Sequence, residues 1–119
     1  MKKTLVIGAS TNPARYSNLA IRMLSEKEHP IIALGLREGA IGEVIITLEK
    51  KMYSEIDTIT LYIGAKRQPE YYDYIVSLKP KRVIFNPGTA NPEFQDLLEA
   101  NDIEVMPACT LVLLRTNSY

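Results

Sequence analysis

The sequence predicts a three-layer α/β domain with a five-stranded parallel sheet in the order 3-2-1-4-5. Short unbroken apolar runs, typical of strands buried on both faces of a parallel sheet, alternate with segments whose apolar residues recur at helical spacing. Glycine or proline marks most boundaries between these segments, where the chain must turn. Since no repeat or linker divides the 119 residues, we expect one domain over residues 1–119.

The five predicted strands are the apolar runs at residues 5–7, 31–34, 58–63, 82–85 and 103–106. The third of them is rich in β-branched and aromatic side chains, and Gly64 ends it. Residues 35–51 are the least regular part of the chain. Within them, residues 44–46 are predicted either as a short extra strand or as a half-buried loop.

The predicted helices lie between and after these strands. The first, at about 17–27, carries an apolar stripe and ends before a proline. The second, at about 69–78, begins with a proline and also ends before one. Asn91-Pro92 predicts an N-cap and first residue of the third, and the fourth covers about 109–115. Because strands and helices alternate, we expect a parallel sheet whose strand order reverses beside the first strand.

Composition excludes several classes of function. Lysine plus arginine equals aspartate plus glutamate, at 14 each, so no overall field attracts nucleic acid or an anionic membrane. The single cysteine rules out an internal disulfide and a cysteine-rich metal site, and the single histidine leaves no cluster for zinc. No apolar run approaches about 18 residues and no signal peptide is evident, so we predict a cytoplasmic protein that does not bind a membrane.

The first strand leads into a corner of small residues, Gly8-Ala9-Ser10, and then into a helix that starts near Ser17. This arrangement forms phosphate sites in doubly wound sheets, because unpaired N–H groups and the positive end of the helix dipole face the anion. Arg15 adds a fixed positive charge. The alternative is a plain turn, since Ser10 and Pro13 replace two glycines of the dinucleotide fingerprint. The phosphate interpretation requires the corner amides to face an open space.

The segment after the second strand points to the kind of nucleotide. Proteins that bind a free ribose diol usually have an acidic residue there. This chain has Gly35-Leu36-Arg37, and Arg37 suits a phosphorylated ribose, as in coenzyme A or NADP, better than it suits NAD. A solvated loop arginine is the alternative.

A second candidate turn, Asn86-Pro87-Gly88-Thr89, follows the fourth strand at the same edge of the sheet. Gly88 would let a ligand approach the backbone closely, and Asn86 and Asn91 carry amides that can bind it. Asn91 is also predicted to cap the next helix, and the two roles are compatible.

Other residues are weaker candidates. Lys66 and Arg67 either contact a phosphate or are solvated. Cys109 has a predicted helix start beside it, but no general base accompanies it, and we therefore predict a buried structural thiol. His29 is predicted to be structural. A group of tyrosines either stacks on an adenine or, at helical spacing, contributes to the core: Tyr71, Tyr72 and Tyr74.

Taken together, these motifs resemble the CoA-binding domain family, small stand-alone relatives of the nucleotide-binding domain that begins the succinyl-CoA synthetase alpha subunit. The resemblance runs along nearly the whole chain. The residues that carry it are Gly8-Ala9-Ser10, Pro13, Arg15-Tyr16-Ser17, Gly35, Asn86-Pro87-Gly88-Thr89, Asn91 and Cys109.

The resemblance implies a Rossmann-like fold that holds coenzyme A along the carboxyl edge of the sheet. The Gly8 corner and the helix start at Ser17 would then lie near the pyrophosphate, and the Arg37 region near the adenosine. This chain departs from its relatives after the second strand, where they usually carry an Asn-Pro-Lys-like segment. The synthetase's phosphohistidine domain has no counterpart here, so ligase chemistry is not expected.

We therefore predict a module that binds coenzyme A or acyl-CoA, with no metal and no acid–base pair in its cleft. One alternative is an NADP-linked oxidoreductase or a transferase that uses Cys109. Another is a domain with an empty cleft that binds a partner protein or forms a homo-oligomer. The predicted binding residues are Gly8, Ala9, Ser10, Pro13, Arg15, Tyr16, Ser17, Gly35, Arg37, Asn86, Pro87, Gly88 and Asn91.

Overall fold

The structure, a computed structural model, describes residues 1–119 and contains seven strands and four helices. The strands are β1 (Thr4–Ala9), β2 (Ile31–Gly35), β3 (Gly39–Ile41), β4 (Val44–Thr47), β5 (Thr58–Leu61), β6 (Arg82–Phe85) and β7 (Glu104–Pro107). The helices are α1 (Tyr16–Glu26), α2 (Tyr72–Leu78), α3 (Pro92–Ala100) and α4 (Thr110–Arg115). Two short 3₁₀ turns, Ala65–Arg67 and Pro69–Tyr71, precede α2.

All seven strands form one sheet in the order β3-β4-β2-β1-β5-β6-β7. Only the edge strand β3 is antiparallel to its neighbour. The predicted α/β class is therefore confirmed, and the sheet, predicted to be parallel, is mostly so. The strand order reverses at β1, because the chain adds β2 and β4 on one side and β5 to β7 on the other.

The predicted five-stranded order 3-2-1-4-5 is wrong. Residues 44–46, for which strand and loop were both open, belong to β4, which pairs with β2. A short hairpin with β3 brings β4 there, so the place beside β2 is filled before the chain reaches residue 58. The third predicted strand, residues 58–63, instead contributes residues 58–61 to β5 on the other side of β1. The neighbour of β1 at the crevice is therefore β5 and not β6.

Two apolar clusters cover the two faces of the sheet. The larger has 16 buried residues, includes residues of α2 and α3, and has the fully buried Phe94 among its members. The smaller has eight buried residues and includes Ile21 and Leu24 of α1 and Leu114 of α4. On this second face β5 contributes a polar residue, since the Thr60 hydroxyl lies 2.8 Å from the Thr110 hydroxyl of α4.

The connection from β4 to β5, residues 48–57, contains no helix. Ile56 and half-buried Tyr53 pack on the larger cluster, and the Tyr74 hydroxyl donates to the Lys51 carbonyl oxygen at 2.6 Å. This connection leaves β4 partly uncovered. Ile46 is 1% exposed on the α1 side, whereas Ile45, which points to the opposite face, is 68% exposed.

The predicted helices are all present, with ends close to those expected. Asn91 caps α3 as predicted, because its Oδ1 accepts from the Phe94 N–H at 3.2 Å. The second predicted helix begins as the 3₁₀ turn Pro69–Tyr71 and becomes α-helical at Tyr72. No helix combines the length and the apolar character needed to cross a membrane.

Candidate functional site

A cleft of about 780 Å³ opens at the carboxyl ends of β1, β5 and β6. In open α/β sheets this edge, where the strand order reverses, is the usual place for a ligand. The corner after β1, the loop after β2 and the turns after β5 and β6 form its walls. Nine of the predicted binding residues line it: Gly8, Ala9, Ser10, Arg15, Tyr16, Ser17, Arg37, Pro87 and Gly88.

Gly8 directs the end of β1 into the corner. Its φ is +96°, and a Cβ at this position would lie 2.9 Å from the Tyr62 carbonyl oxygen. Two side-chain turns then shape the loop: Ser10 Oγ accepts from the Asn12 N–H at 3.1 Å, and Asn12 Oδ1 accepts from the Ala14 N–H at 3.0 Å. These local hydrogen bonds hold the loop in one conformation.

Four backbone N–H groups at this corner have no acceptor within the protein. Those of Ser10 and Thr11 make no hydrogen bond. Those of Tyr16 and Ser17 begin α1, where no preceding helical carbonyl can accept from them, and the N-cap residue Arg15 gives no side-chain cap. The four residues that carry these N–H groups all line the open cleft, and so does Arg15. The corner therefore has the donors that an anion requires.

Three arginines line the cleft, and no acidic side chain does. Arg15 precedes α1, Arg37 follows β2, and Arg67 belongs to the 3₁₀ turn after β5. The whole chain has no net charge, so the positive charge of the cleft is a local feature of these three arginines. This arrangement suits a ligand with more than one anionic group. Arg67, for which solvation was the alternative, is thus brought to the same cleft.

The wall formed by β5 and β6 is less polar and includes Tyr62, Ile63 and Pro87. The Tyr62 hydroxyl is buried and makes no hydrogen bond. Burial raises the pKa of Tyr62 to about 12, although the nearby hydroxyl groups of Thr110 and Thr60 offset part of this effect. The phenol is therefore neutral at physiological pH and adds no negative charge.

Asn86 lies beneath the cleft and does not line it. Its side chain is buried, and its Nδ2 donates to Thr60 Oγ1 at 2.7 Å and to the Leu61 carbonyl oxygen at 2.8 Å. Its Oδ1 accepts from the Thr110 N–H at 2.9 Å. Both donor hydrogens of the amide are used within the protein, so the structure places Asn86 as a support for the turn at Pro87.

Asn91 is also engaged within the protein, because its Nδ2 donates to Gln68 Oε1 at 2.9 Å and to the Tyr72 hydroxyl at 2.8 Å. The fully buried Gln68 donates in turn to the carbonyl oxygens of Ile63 at 3.0 Å and Thr89 at 2.7 Å. These contacts join the turns after β5 and β6. Sequence analysis missed Gln68, since a polar loop residue gives no signal of burial.

Two other predicted residues lie near the cleft without lining it. Pro13 is exposed in the corner loop. Gly35 permits the close approach of β1 and β2, because a Cβ there would lie 2.5 Å from the Ala9 carbonyl oxygen. Gly35 therefore shapes the corner through backbone packing.

The remaining candidates lie outside the cleft. Cys109 is the N-cap residue of α4 and is half-buried, so the predicted burial of its thiol is only partial. His29 accepts from the Lys2 N–H at 3.0 Å through Nδ1 and packs edge-on against the Tyr119 ring, as expected of a structural histidine. Tyrosines at helical spacing belong to the core, as one alternative proposed: Tyr71 and Tyr74 are buried, and half-buried Tyr72 packs on Phe94.

A second groove, of about 860 Å³, lies between the end of α1 and the β3–β4 hairpin. Its lining carries Glu26, Glu28 and Glu43 against Arg22, so its charge disfavours a phosphate ligand. The chain has no cluster of three or more side chains suited to bind a metal. The cleft at the Gly8 corner is therefore the candidate site.

The fold and this cleft define a doubly wound α/β domain with an opening at its topological switch point. The chain belongs to the CoA binding domain family, whose model matches residues 2–115. The resemblance inferred from the motifs is thereby confirmed. No curated protein sequence matches the chain.

Solved structures agree with the fold. A protein described only as uncharacterized is 44% identical, with a TM-score of 0.97 over 100% of this chain and 98% of its own. A Thermus thermophilus protein is 18% identical, with a TM-score of 0.85 over 99% of this chain and 91% of its own. A hypothetical protein from Pyrococcus horikoshii is 19% identical, with a TM-score of 0.87 over 97% of this chain and 82% of its own. The last two show the fold alone.

Proposed function

We propose that this protein binds coenzyme A or acyl-CoA in the cleft and does not catalyse a reaction by itself. The observation that carries the proposal is the meeting, at one open corner, of four N–H groups without internal acceptors and three arginines without a carboxylate. Membership of the CoA binding domain family supports coenzyme A as the anionic ligand. This cofactor carries both a pyrophosphate and a ribose phosphate.

In this proposal the pyrophosphate binds the amides of the corner and Arg15, and Arg37 contacts the ribose phosphate. The pantetheine arm lies along the wall at Tyr62 and passes over Gly88. Gly88 supports this path, because its φ is +89° and no atom lies within 4 Å of the position of a Cβ. Three predicted residues that do not line the cleft support its walls instead: Gly35, Asn86 and Asn91.

The chemistry of the cleft lining supports binding without catalysis. No histidine, cysteine or carboxylate lines the cleft. The phenol of Tyr62 has a raised pKa and a buried hydroxyl, so it is poorly suited to act as a general base at neutral pH. The serine and threonine hydroxyls of the corner have no base beside them to activate them as nucleophiles.

A thermal-shift panel with coenzyme A, acetyl-CoA, NADPH and NAD tests the proposal. At a ligand concentration a hundredfold above Kd, binding stabilises the folded state by about 2.7 kcal/mol, which raises the melting temperature on the order of 10 °C. We expect this shift with coenzyme A and acetyl-CoA. A shift with NADPH alone would favour the oxidoreductase, and no shift with any nucleotide would contradict a nucleotide site.

The variant Arg15→Ala tests the placement of the ligand. Loss of a charge-assisted contact should weaken coenzyme A binding by roughly 1–3 kcal/mol in titration calorimetry. Arg115→Ala, in the last turn of α4 and outside the cleft, is the matched control and should leave Kd unchanged. Equal affinities for the two variants would remove Arg15 from the site.

A further inference from the structure

The less polar wall of the cleft is built from two turns that the sheet does not hold together. β5 and β6 pair only as far as Leu61 and Phe85. Beyond that point no backbone–backbone hydrogen bond joins residues 62–68, the turn after β5, to residues 86–89, the turn after β6. Both turns line the cleft. The spacing between them therefore depends on side chains.

One buried side chain bonds to both turns. Gln68 is fully buried, and its Nε2 donates to the Ile63 carbonyl oxygen at 3.0 Å and to the Thr89 carbonyl oxygen at 2.7 Å. Ile63 belongs to the first turn and Thr89 to the second, and both residues line the cleft. Both hydrogens of the amide group are thereby used within the protein. Gln68 thus links the two turns directly behind the surface that faces a ligand.

The backbone and the side chain of Gln68 are both held in place. Its N–H donates to the Ala65 carbonyl oxygen at 3.3 Å, and its carbonyl oxygen accepts from the Tyr71 N–H at 2.8 Å. Its Oε1 accepts from Asn91 Nδ2 at 2.9 Å, and Asn91 is itself held as the N-cap of α3. Because every part of this link is hydrogen-bonded, the two turns are held at one spacing.

We propose that Gln68 is a positioning residue for the pantetheine arm, an inference that rests on the proposed function. The arm lies along the two turns and passes over Gly88. No atom lies within 4 Å of the position of a Cβ on Gly88, so nothing on the open side holds this turn, and its position depends on the bond from Gln68 to Thr89. A wall that is fixed before the ligand arrives lowers the entropy cost of binding.

Titration calorimetry on the full chain with two ligands tests this role. Coenzyme A contains the pantetheine arm, and adenosine 3′,5′-bisphosphate lacks it. Gln68→Met keeps the length of the side chain but donates no hydrogen bond. It should weaken coenzyme A about tenfold, the lower end of the loss seen when an outer support is removed at metal sites, and should leave the bisphosphate unchanged.

A second variant covers the case in which Gln68→Met does not fold. Asn91→Asp keeps the oxygen that caps α3 but loses the donor to Gln68 Oε1, so it should show the same selective loss. Gln95→Met is the matched control. It removes only the acceptor of the Asn91 N–H, lies outside the cleft and should bind both ligands like the wild type.

Unchanged affinity for coenzyme A in Gln68→Met and Asn91→Asp would overturn the positioning role. An equal loss for both ligands would also overturn it, because the effect would then extend to the whole site. A wild-type protein that binds coenzyme A no more tightly than the bisphosphate would contradict the role and leave the nucleotide site intact. A wild-type protein that binds neither ligand would reject the proposed function and this role with it.

Discussion

At Gly8, the conformation of a single residue determines whether the corner can form. The backbone turns at a positive φ of +96°, which other residues rarely adopt, and the Tyr62 carbonyl oxygen occupies the space that a side chain would need. Gly64, which also lines the cleft, has neither constraint, because nothing lies within 4 Å of its Cβ position and its φ is not positive. The two glycines therefore form a matched pair.

Gly8→Ala should destabilise the fold by roughly 1–3 kcal/mol, because alanine at positive φ is strained and its methyl group would contact the Tyr62 carbonyl. Gly64→Ala should change the free energy of unfolding by less than about 0.5 kcal/mol. Urea denaturation monitored by circular dichroism measures both values. Equal unfolding free energies for the two variants would show that the corner adapts to a side chain.

Single residues also show where sequence-based prediction ends. Gly8 and Arg15 were predicted at the corner and line the cleft, since their positions follow from a local strand-turn-helix pattern. Asn86 was predicted from the same kind of pattern, but its amide bonds Thr60 and Thr110, which lie 26 and 24 residues away. Whether a polar side chain is free to meet a ligand depends on such distant partners.

Among the elements, α4 depends on polar contacts as well as on its buried leucines. It has six residues, with Leu111 and Leu114 buried. Its first N–H donates to Asn86 Oδ1, and the Thr110 hydroxyl bonds that of Thr60. Since Asn86 also begins the turn that forms one wall of the cleft, one side chain links this wall to the start of α4.

Asn86→Ala should destabilise the protein by about 2–4 kcal/mol, because it removes the partner of the buried Thr110 N–H and one donor to Leu61. The rate of amide hydrogen exchange should increase most at the start of α4, where the Thr110 N–H loses its acceptor. The exposed Asn101, which makes one hydrogen bond to Leu97, provides the control, and Asn101→Ala should cost less than about 0.5 kcal/mol. Unaltered exchange in α4 would contradict this role for Asn86.

At the scale of the whole molecule, residues near the two ends of the chain contact each other at the edge of the sheet opposite the cleft. The Tyr119 hydroxyl lies 2.6 Å from Thr4 Oγ1, and the His29 ring packs against the Tyr119 ring with centroids 4.9 Å apart. The Lys2 N–H donates to His29 Nδ1, which must be unprotonated to accept. Burial, together with positive charges at the amino terminus and Lys2, lowers the pKa of His29 from 6.5.

Because the pKa of His29 is lowered in the folded protein, the free energy of unfolding should decrease as the pH decreases. Below about pH 6.5 the unfolded chain binds a proton at His29 more readily than the folded protein does, so the free energy of unfolding falls as the pH falls through this range. The loss levels off below the folded-state pKa. Thermal melts between about pH 7.5 and 5 should show this decline.

His29→Gln keeps a hydrogen-bond acceptor without a titrating group, and it should reduce the decline in melting temperature. The difference between the two pH profiles isolates the histidine, because the carboxylates are common to both proteins. Parallel profiles would show that His29 titrates alike in the folded and unfolded chains.

The sequence by itself determined the α/β class, the helices, the corner at Gly8 and the family, because these features depend on the local spacing of apolar, small and charged residues. Only the tertiary structure decided the strand order, since residues 44–47 become strand β4 by pairing with β2, which is distant from them in sequence. It also decided which side-chain amides and backbone N–H groups have no hydrogen-bond partner within the protein. Asn86 and Asn91 satisfy their hydrogen bonds within the fold, whereas the N–H groups of Ser10 and Thr11 do not, and that difference depends on contacts distant in sequence.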